Sequence, residues 1–290
     1  MLQFDKIEGT GNDFIVVADE AAPPLDWSAI APPLCDRHHG VGADGILLVG
    51  SGPDGGLRMR LFNADGSEAE MCGNGIRCTA KFALDHGLTT RRSVDWETGA
   101  GAIHTDVLAL DGDEAHVRVD MGAPRLRPSD IPVTADGDAA LDVAVEAAGQ
   151  ALTLTCVGMG NPHAVAFVDS VAGFPLDVVG PAVENHPLFP RRTNFEVVEV
   201  VDPAHLRMRV WERGVGETQA CGTGACAAAV AARLVRDTAA EVEVRVPGGV
   251  LQLGWDGSGA VFLTGPARTV YRGRLEVPVA AEVKELAQAG

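Results

Sequence analysis

The stretch LRMRVWERGVGETQACGTGAC, residues Leu206–Cys226, has an earlier copy in the same chain. The copy is LRMRLFNADGSEAEMCGNGIRC, residues Leu57–Cys78, and a constant offset of 149 positions aligns the two. At this offset Cys72 aligns with Cys221, and each cysteine is followed by Gly-x-Gly. A repeat held in register over so many positions indicates duplicated structural units. The sequence therefore predicts two similar halves, each presenting one cysteine from an equivalent position.

The residues after each cysteine predict a helix. Runs of helix formers follow the Gly-x-Gly, Ile76–Leu84 in the first half and Ala225–Val235 in the second. Each sulfur would then lie at a helix N-terminus, where unpaired N–H groups and the helix dipole favour negative charge. Such a position is expected to lower the thiol pKa from its free value of about 8.5.

Two equivalent cysteines suggest a particular chemistry. A pseudo-twofold axis between the halves would bring the two sulfurs to opposite faces of a planar carbanion, so that one removes a proton and the other returns one. This is the arrangement that a two-base racemase or epimerase needs. Backbone N–H groups after each cysteine are candidates to bind a carboxylate and to stabilise the developing charge. They belong to Gly73, Asn74, Gly222 and Thr223.

The cysteines also have structural interpretations. A single free cysteine at a helix start usually packs as a small apolar residue, and duplication at matched positions favours function instead. A zinc site would use Cys72 with Cys78 and Cys221 with Cys226, but these spacings place the thiols on different helical faces. Zinc pairs are usually C-x2-4-C, so no metal is predicted. The packing interpretation is kept for Cys35, Cys78, Cys156 and Cys226.

Six segments, in order along the chain, carry a family resemblance. They are GTGNDF (Gly9–Phe14), HHGVGADG (His38–Gly45), FNADGSEAEMCGNGIRC (Phe62–Cys78), GNPHAV (Gly160–Val165), RRTNFE (Arg191–Glu196) and WERGVGETQACGTGAC (Trp211–Cys226). Together they resemble the diaminopimelate epimerase family over nearly the whole chain, and the two cysteine motifs are the most specific. The resemblance implies an enzyme without cofactor that interconverts LL- and meso-2,6-diaminopimelate, on the route to lysine and peptidoglycan.

The resemblance also implies roles by position. Cys221 matches the base that accepts the α-proton of the LL substrate, and Cys72 matches the acid that protonates the other face. His163 and Glu212 match groups that tune the cysteines. Substrate contacts are implied for Asn12, Asn63, Gly73, Asn74, Asn161, Asn194, Glu212, Arg213, Gly222 and Thr223. Gly45 is a departure, because some members carry there a Gln that touches the substrate.

One long helix per half among many short strands predicts an α+β fold. The family fold, which the resemblance implies, has two pseudo-symmetric domains in which mixed strands curl around a central helix. The expected boundaries are residues 1–122 and 123–269, with a tail, 270–290, that returns to the first domain. Tyr271 falls in a region that forms a dimer contact in the family, so a homodimer is implied; an ordinary buried aromatic is the alternative.

Local patterns predict further elements. Residues 23–33 read as a loop with a short helix near Trp27–Ile30. Asp111–Gly112–Asp113 predicts one hairpin turn, and Pro247–Gly248–Gly249 predicts another.

Composition limits the partners. The 290 residues suit two domains, and a net charge of -17 argues against nucleic acid or anionic membrane. The start lacks the pattern of a signal peptide, and the most apolar run, Ala220–Val235, is too short to span a bilayer. We therefore expect a cytoplasmic protein with reduced cysteines and a small-molecule substrate.

The sequence has three alternative functional interpretations. Two G-x-G-x-x-G matches, Gly40–Gly45 and Gly50–Gly55, lead into strands instead of opening helices, which disfavours a dinucleotide site. The nearest rival is another isomerase of the same fold, such as a proline racemase or hydroxyproline epimerase. Such enzymes lack the full set of Asn63, Asn194 and Arg213, whose most evident use is a second amino-acid end. The rival from a different class is a non-catalytic thiol protein that binds metal or responds to redox.

Overall fold

A computed structural model describes residues 1–52 and 54–276 of the chain. Two compact units are present. The first contains Met1–Val119 and the described residues from Pro266 onward, and the second is Asp120–Gly265. The sequence interpretation placed the division after residue 122 and the returning tail at 270–290, of which residues 277–290 lie outside the described part.

The described part of the first unit has two α-helices and mostly short strands. The helices are α1 (Trp27–Cys35) and α2 (Gly73–Asp85). The strands are β1 (Leu2–Gly9), β2 (Asn12–Ala18), β3 (Gly45–Ser51), β4 (Leu57–Asn63), β5 (Glu68–Ala69), β6 (Ser93–Thr98), β7 (Gly101–Asp111) and β8 (Glu114–Asp120), which ends one residue past the unit. Single 3-10 turns cover Asp19–Ala21 in this unit and Pro128–Asp130 in the next.

The second unit repeats the plan, again with two α-helices, and has one additional strand at its start. The helices are α3 (Leu176–Glu184) and α4 (Gly222–Val235). The strands are β9 (Val143–Ala147), β10 (Gln150–Gly158), β11 (Pro162–Phe167), β12 (Asn194–Asp202), β13 (His205–Glu212), β14 (Gly216–Thr218), β15 (Glu241–Val246), β16 (Gly249–Gly254) and the first residues of β17 (Phe262–Leu275). The later residues of β17 belong to the first unit, where they pair with β1.

The offset of 149 positions relates the strand pairings as well as the sequence. β2 and β3 are parallel with Phe14 opposite Gly45, and β11 and β12 are parallel with His163 opposite Asn194. The antiparallel pairs β1–β2 and β3–β4 have the counterparts β10–β11 and β12–β13. The predicted pseudo-symmetry of two α+β domains is therefore confirmed in the backbone.

Each unit is built around one buried helix. In α4 every residue from Gly224 to Ala232 is buried, more than two turns, so all faces of the helix are covered. The buried residues are mostly alanine and glycine, and β10–β13, β15 and β16 approach them. In α2 residues Gly73 to Ala83 are buried, and β1–β4 and β7 surround them. The expected arrangement of strands around a central helix is confirmed.

Helix α2 contains two fully buried cations that are both satisfied. Arg77 donates to the Thr10 hydroxyl and to the carbonyl oxygens of Gly73 and Pro266, at 3.0 to 3.1 Å. Lys81 pairs with Asp85 at 2.5 Å. A buried charge that keeps its hydrogen bonds stabilises the arrangement around it, and removal of one partner is strongly destabilising. Arg77 thus fixes the first turn of the helix that follows Cys72.

Two helices differ from the sequence interpretation. Helix α1 runs through Pro32 and Pro33 to Cys35, past the predicted end at Ile30, because its apolar residues are buried and outweigh the two missing N–H donors. Helix α3 was not predicted, since Gly180 and Pro181 interrupt its pattern. The glycine is needed because a Cβ at this position would lie 2.6 Å from the Trp211 ring.

Both hairpin predictions are confirmed. The Asp111–Gly112–Asp113 turn joins β7 to β8, and the segment beginning at Pro247 joins β15 to β16. Among the residues that the structure describes, no helix has the length and apolar character needed to cross a membrane.

Candidate active site

Both repeated cysteines are helix N-caps. Cys72 precedes α2 and Cys221 precedes α4, each with extended backbone, and the Cys72 sulfur accepts from the Gly75 N–H at 3.5 Å. The sequence prediction of a sulfur at each helix N-terminus is therefore confirmed.

Polar side chains from β2 and α2 surround Cys72. The Asn12 Oδ1 lies 3.6 Å from the thiol sulfur and accepts from the Asn74 amide at 3.3 Å. The Asn12 amide nitrogen donates to Asp44 at 2.7 Å, which fixes its orientation. Three of the residues expected in the site, Asn12, Cys72 and Asn74, are thus together in the first unit.

An ionic network supports the side chain of Asn12. Arg37 binds both Asp13 and Asp44, and Lys6 pairs with Asp13 at 2.6 Å. Burial alone would raise the pKa of the Asp13 carboxyl, but the hydrogen bonds from Arg37 and Lys6 outweigh it and lower the pKa to about 2. The network therefore stays charged at neutral pH, and it anchors the Asp44 carboxylate that orients Asn12.

Asn63 and Gly45 face each other on neighbouring strands. Asn63 ends β4, and its amide nitrogen donates to the Ser67 hydroxyl at 3.0 Å. A Cβ at Gly45 would lie 2.7 Å from the Phe62 carbonyl oxygen. The close approach of this strand favours a glycine at position 45.

Cys221 has more charged surroundings than Cys72. Its sulfur lies 3.4 Å from the Thr223 hydroxyl, and the Glu212 carboxylate is close enough to act on the pKa of the thiol. The same carboxylate accepts from the Thr218 hydroxyl at 2.5 Å. Cys221 is only 6% exposed, so its reactive atom has little contact with water.

The expected lowering of the thiol pKa is wrong at Cys221. Burial raises the pKa of this thiol well above its ordinary value, and the negative carboxylates of Glu212 and Glu196 raise it further. Burial likewise raises the pKa of the Glu212 carboxyl, although hydrogen bonds from Thr218 and Cys221 oppose the shift. Desolvation therefore outweighs the helix terminus at Cys221.

His163 is fully buried between two oxygen atoms. Its Nδ1 is 2.6 Å from a Glu196 carboxylate oxygen, and its Nε2 is 2.9 Å from the Asn161 Oδ1. Glu196 is itself fully buried. Sequence reasoning missed Glu196 as a site residue; the available signal was the repeat, which aligns this carboxylate with an apolar residue, Leu47.

Asn194 and Arg213 are connected to each other. The Asn194 amide donates to the Pro162 carbonyl oxygen and accepts from the Arg213 backbone N–H, both at 2.9 Å. The Asn194 side chain is buried and binds backbone, so it acts on the segment that carries Arg213. The Arg213 guanidinium donates to the Arg191 carbonyl oxygen at 3.1 Å.

A cavity of about 230 Å³ lies in the second unit beside these residues. Asn161 and Arg213 line it, and so do two exposed arginines that sequence reasoning did not single out, Arg125 and Arg191. Three guanidinium groups and an amide outnumber the Asp130 carboxylate in the lining of this cavity, which gives it a predominantly cationic character.

Tyr271 lies on β17 and is 44% exposed, in edge-to-face contact with Phe4 at 6.1 Å between ring centroids. The adjacent Val270 is also exposed. Within residues 1–52 and 54–276, no three His, Cys, Asp or Glu side chains are grouped so that they would hold a metal ion.

Comparison with known sequences assigns the chain to a family. The family model described as diaminopimelate epimerase matches residues 4–127 and 155–270, well over half of the chain. The chain belongs to the diaminopimelate epimerase family. The enzyme of that name from Moorella thermoacetica is 49% identical over 274 residues, which cover 94% of this chain and 98% of the relative. The one from Acetivibrio thermocellus is 45% identical over 277 residues, with coverage of 95% and 99%. The family is one of isomerases, so the chain is an enzyme of the racemase and epimerase class.

Solved structures support the same fold at low identity. A probable proline racemase from Agrobacterium radiobacter has a TM-score of 0.69 and 16% identity, covering 96% of this chain and 94% of that one. A hydroxyproline epimerase from Agrobacterium vitis has a TM-score of 0.65 and 15% identity, with coverage of 97% and 94%. These likenesses show the two-domain fold, whereas sequence identity places the chain with the diaminopimelate epimerases.

Proposed function

We propose that this protein is a diaminopimelate epimerase that converts LL-2,6-diaminopimelate to the meso isomer with two cysteines and no cofactor. The observation that carries the proposal is the pair Cys72 and Cys221, which cap equivalent helices in the two units of a family member. The relatives that share nearly half of the sequence bear this enzyme name.

In the proposed mechanism Cys221 removes the α-proton of the LL substrate. Its neutral thiol first passes its proton to Glu212, whose raised pKa makes it a competent acceptor. The resulting thiolate takes the α-proton, and the electron pair remains on the carbon as a carbanion. Cys72 then donates its thiol proton to the opposite face, and in the reverse direction the two sulfurs exchange roles.

The helix termini supply the electrostatic part of the reaction. Backbone N–H groups of Gly73 and Asn74 begin α2, and those of Gly222 and Thr223 begin α4. Such groups favour a carboxylate and the enolate-like charge that develops when the α-proton leaves. A thiolate is a weak base for this proton, so exclusion of water and fixed dipoles carry much of the catalysis.

The distal amino acid of the substrate needs recognition without reaction. Arg213 offers a planar fork for its carboxylate, and the Asn12, Asn63, Asn161 and Asn194 amides offer donors and acceptors without adding charge. We assign these residues, with Glu212, to substrate binding or to the support of residues that bind it, as Asn194 supports Arg213.

The proposed enzyme works in the cytoplasm, in the synthesis of lysine and peptidoglycan, and it forms a homodimer. The exposed apolar pair Val270 and Tyr271 supports an interface on β17. Size-exclusion chromatography with light scattering should give a dimer for the wild type and a monomer for Tyr271→Ala; a monomeric wild type would remove this part of the proposal.

The activity is tested by NMR with LL-diaminopimelate in D2O, using protein treated with EDTA and reductant. We expect the meso isomer to form without added cofactor, and both Cys72→Ala and Cys221→Ala to abolish it. Cys35→Ala and Cys156→Ala remove buried thiols outside the proposed site and should retain turnover.

Unchanged LL-diaminopimelate would remove the substrate assignment, and the same assay with proline and hydroxyproline would then test the rival isomerase. Stoichiometric zinc in the untreated protein, without any substrate chemistry, would favour the non-catalytic thiol protein.

A further inference from the structure

Glu184 is a buried glutamate at the end of helix α3, and its carboxylate binds three donors. The Oε2 atom accepts from the indole N–H of Trp211 at 2.8 Å. The Oε1 atom accepts from the backbone N–H of Gly214 at 2.9 Å and from the guanidinium of Arg192 at 3.1 Å. Indole, backbone and guanidinium nitrogens can only donate, so the carboxylate is the acceptor in all three contacts. Both of its oxygens are therefore occupied by groups of the protein.

Two of the three donors lie on either side of Arg213 in the chain. Trp211 is two residues before Arg213, near the end of β13, and Gly214 is the residue directly after it. Because the same carboxylate binds both, it restrains the backbone on both sides of Arg213.

The third donor lies beside the acceptor of the Arg213 side chain. The guanidinium of Arg213 donates to the Arg191 carbonyl oxygen at 3.1 Å, and Arg192 follows Arg191 directly. The ion pair of Arg192 with Glu184 therefore restrains the segment that carries this carbonyl oxygen. Arg213 and Arg191 both line the cavity of about 230 Å³, so Glu184 joins two segments that contribute to its lining.

The first unit provides an internal comparison, because it has the same helix without the carboxylate. Helices α1 and α3 coincide from end to end at the offset of 149 positions, and Glu184 aligns with Cys35. The residues around the carboxylate change with it: at the same offset Trp211 aligns with Phe62, Arg192 with Ala43 and Arg213 with Ala64. The carboxylate, its side-chain donors and the arginine are thus present together in one unit and replaced together in the other.

Packing alone does not require a glutamate at this position. Well-packed apolar residues in place of a buried ion pair are often neutral or stabilising. The buried Cys35 shows that the fold accommodates a small apolar residue at the equivalent helix end. What a carboxylate with three fixed donors adds is a restraint on the segments that supply them, and binding groups depend on such supporting contacts for their geometry.

We propose that Glu184 is a positioning residue that holds Arg213 in place to bind a substrate carboxylate. Glu184 is not one of the described residues that line the cavity, so it acts through the backbone around Arg213 and through the segment that carries the Arg191 carbonyl oxygen. The identity of the substrate rests on the proposed function, in which the carboxylate is the distal one of diaminopimelate. The restraint on Arg213 rests on the contacts of Glu184 and is independent of the substrate.

The first test measures the mobility of the Arg213 side chain and needs no turnover. In 15N relaxation of the arginine Nε–H groups, the order parameter of Arg213 should lie above about 0.6 in the wild type and fall below it, into the range of flexible groups, in Glu184→Leu. The resonance is assigned by its loss in Arg213→Lys. A wild-type value already in the flexible range, or an unchanged value in Glu184→Leu, would overturn the proposal.

Glu199 provides a matched control for this measurement. It is a partly buried glutamate of the same unit that also accepts from a guanidinium and a backbone N–H, those of Arg207 at 2.7 Å and Val171 at 3.2 Å. Glu199 is not among the described residues that line the cavity. Glu199→Leu should therefore leave the order parameter of Arg213 unchanged. A fall as large as that in Glu184→Leu would mean a general loosening of the unit and would contradict the positioning role.

The second test asks whether the effect of Glu184 reaches the substrate through Arg213. Glu184→Leu should raise KM for diaminopimelate about tenfold or more, the usual effect of weakening a hydrogen bond to a charged group, while kcat falls less. In an Arg213→Ala background the same change should raise KM by less than about twofold, because the guanidinium that Glu184 positions is gone. An equal factor in both backgrounds, or an effect confined to kcat, would contradict the proposal.

A second variant keeps the proposal testable if Glu184→Leu does not fold. Glu184→Gln keeps the shape of the side chain, but whichever way its amide lies, the NH2 group faces a donor. It should therefore lower the order parameter of Arg213 in the same direction, and an unchanged value would overturn the proposal. If the wild type does not turn over diaminopimelate, the proposed function fails, and the order parameters still decide the positioning role.

Discussion

Gly224 and Gly75 are equivalent glycines whose replacement by alanine should have different results. A Cβ at Gly224 would lie 2.7 Å from the Glu196 Oε1, which is 0.7 Å inside the 3.4 Å at which ordinary contact begins. That oxygen cannot move away freely, because it binds His163 at 2.6 Å. A Cβ at Gly75 would meet the flexible tip of Leu47 at 3.2 Å.

These distances set the expected size of the effect. Overpacking a well-packed core costs about 1 to 3 kcal/mol. The helix propensity gained when alanine replaces glycine is common to both variants and cancels, and the milder contact at Gly75 reduces the difference between them. We expect Gly224→Ala to be about 1 to 2 kcal/mol less stable than Gly75→Ala. For units of this size that corresponds to a melting temperature lower by about 3 to 6 °C.

The assay is thermal unfolding by circular dichroism, with epimerase activity measured alongside. Gly224→Ala should also lose about tenfold or more in kcat, since the same Cβ would lie 3.3 Å from the Cys221 Cβ, which is inside ordinary contact, and small displacements of a reacting side chain are costly. Adding Glu196→Leu should restore most of the stability, because leucine is what Gly75 faces. Equal melting temperatures for Gly224→Ala and Gly75→Ala would refute the reasoning.

Three further predictions concern single residues. Asp13→Asn should lower the free energy of unfolding by about 1 kcal/mol at pH 7, after allowance for solvent screening. Because the folded pKa of Asp13 is about 2 and its reference pKa is 3.8, the stability difference from the wild type should persist above pH 4 and vanish toward pH 2 in acid unfolding. A stability difference that does not change with pH would contradict this prediction. Glu212→Gln should lower the pKa of the Cys221 thiol, because a nearby negative charge is removed, while burial still holds this pKa above 9.0. 13C NMR of labelled cysteine would measure the pKa. A higher pKa in the variant would contradict the proposed effect of the Glu212 carboxylate. Gly45→Gln should destabilise the protein by about 1 to 3 kcal/mol in urea unfolding, because its Cβ would lie 2.7 Å from the Phe62 carbonyl oxygen. Unchanged stability would contradict this prediction and would mean that the strand carrying Phe62 moves away without cost.

The repeat made much of the fold readable from the sequence. A constant offset put Cys72 and Cys221 before equivalent helices, and the strand pairings follow the same offset. Local chemistry also sufficed for the hairpins, where aspartate, proline and glycine determine the turn. Helix α3 was missed because local breakers, Gly180 and Pro181, dominate its pattern, whereas packing against Trp211 decides the structure.

The pKa of the Cys221 thiol could not be predicted from the sequence, because it depends on contacts between residues far apart in the chain. Position at a helix terminus predicts a lowered thiol pKa, but the burial of Cys221 and the carboxylates of Glu212 and Glu196 act in the opposite direction. Glu196 lies on β12, 25 residues before Cys221 in the chain. The parallel pairing of β11 with β12 places it beside the site residues of β11. No local pattern distinguishes such a residue from an ordinary strand glutamate.

The most direct test of the two-thiol mechanism follows deuterium at the α-carbon early in the reaction in D2O. If Cys221 removes the proton from one face and Cys72 supplies another to the opposite face, the first meso product should carry deuterium at the inverted centre. The remaining LL substrate should then still carry hydrogen. Meso product that retains the original hydrogen would mean that a single group moves the proton between faces, and it would contradict the account.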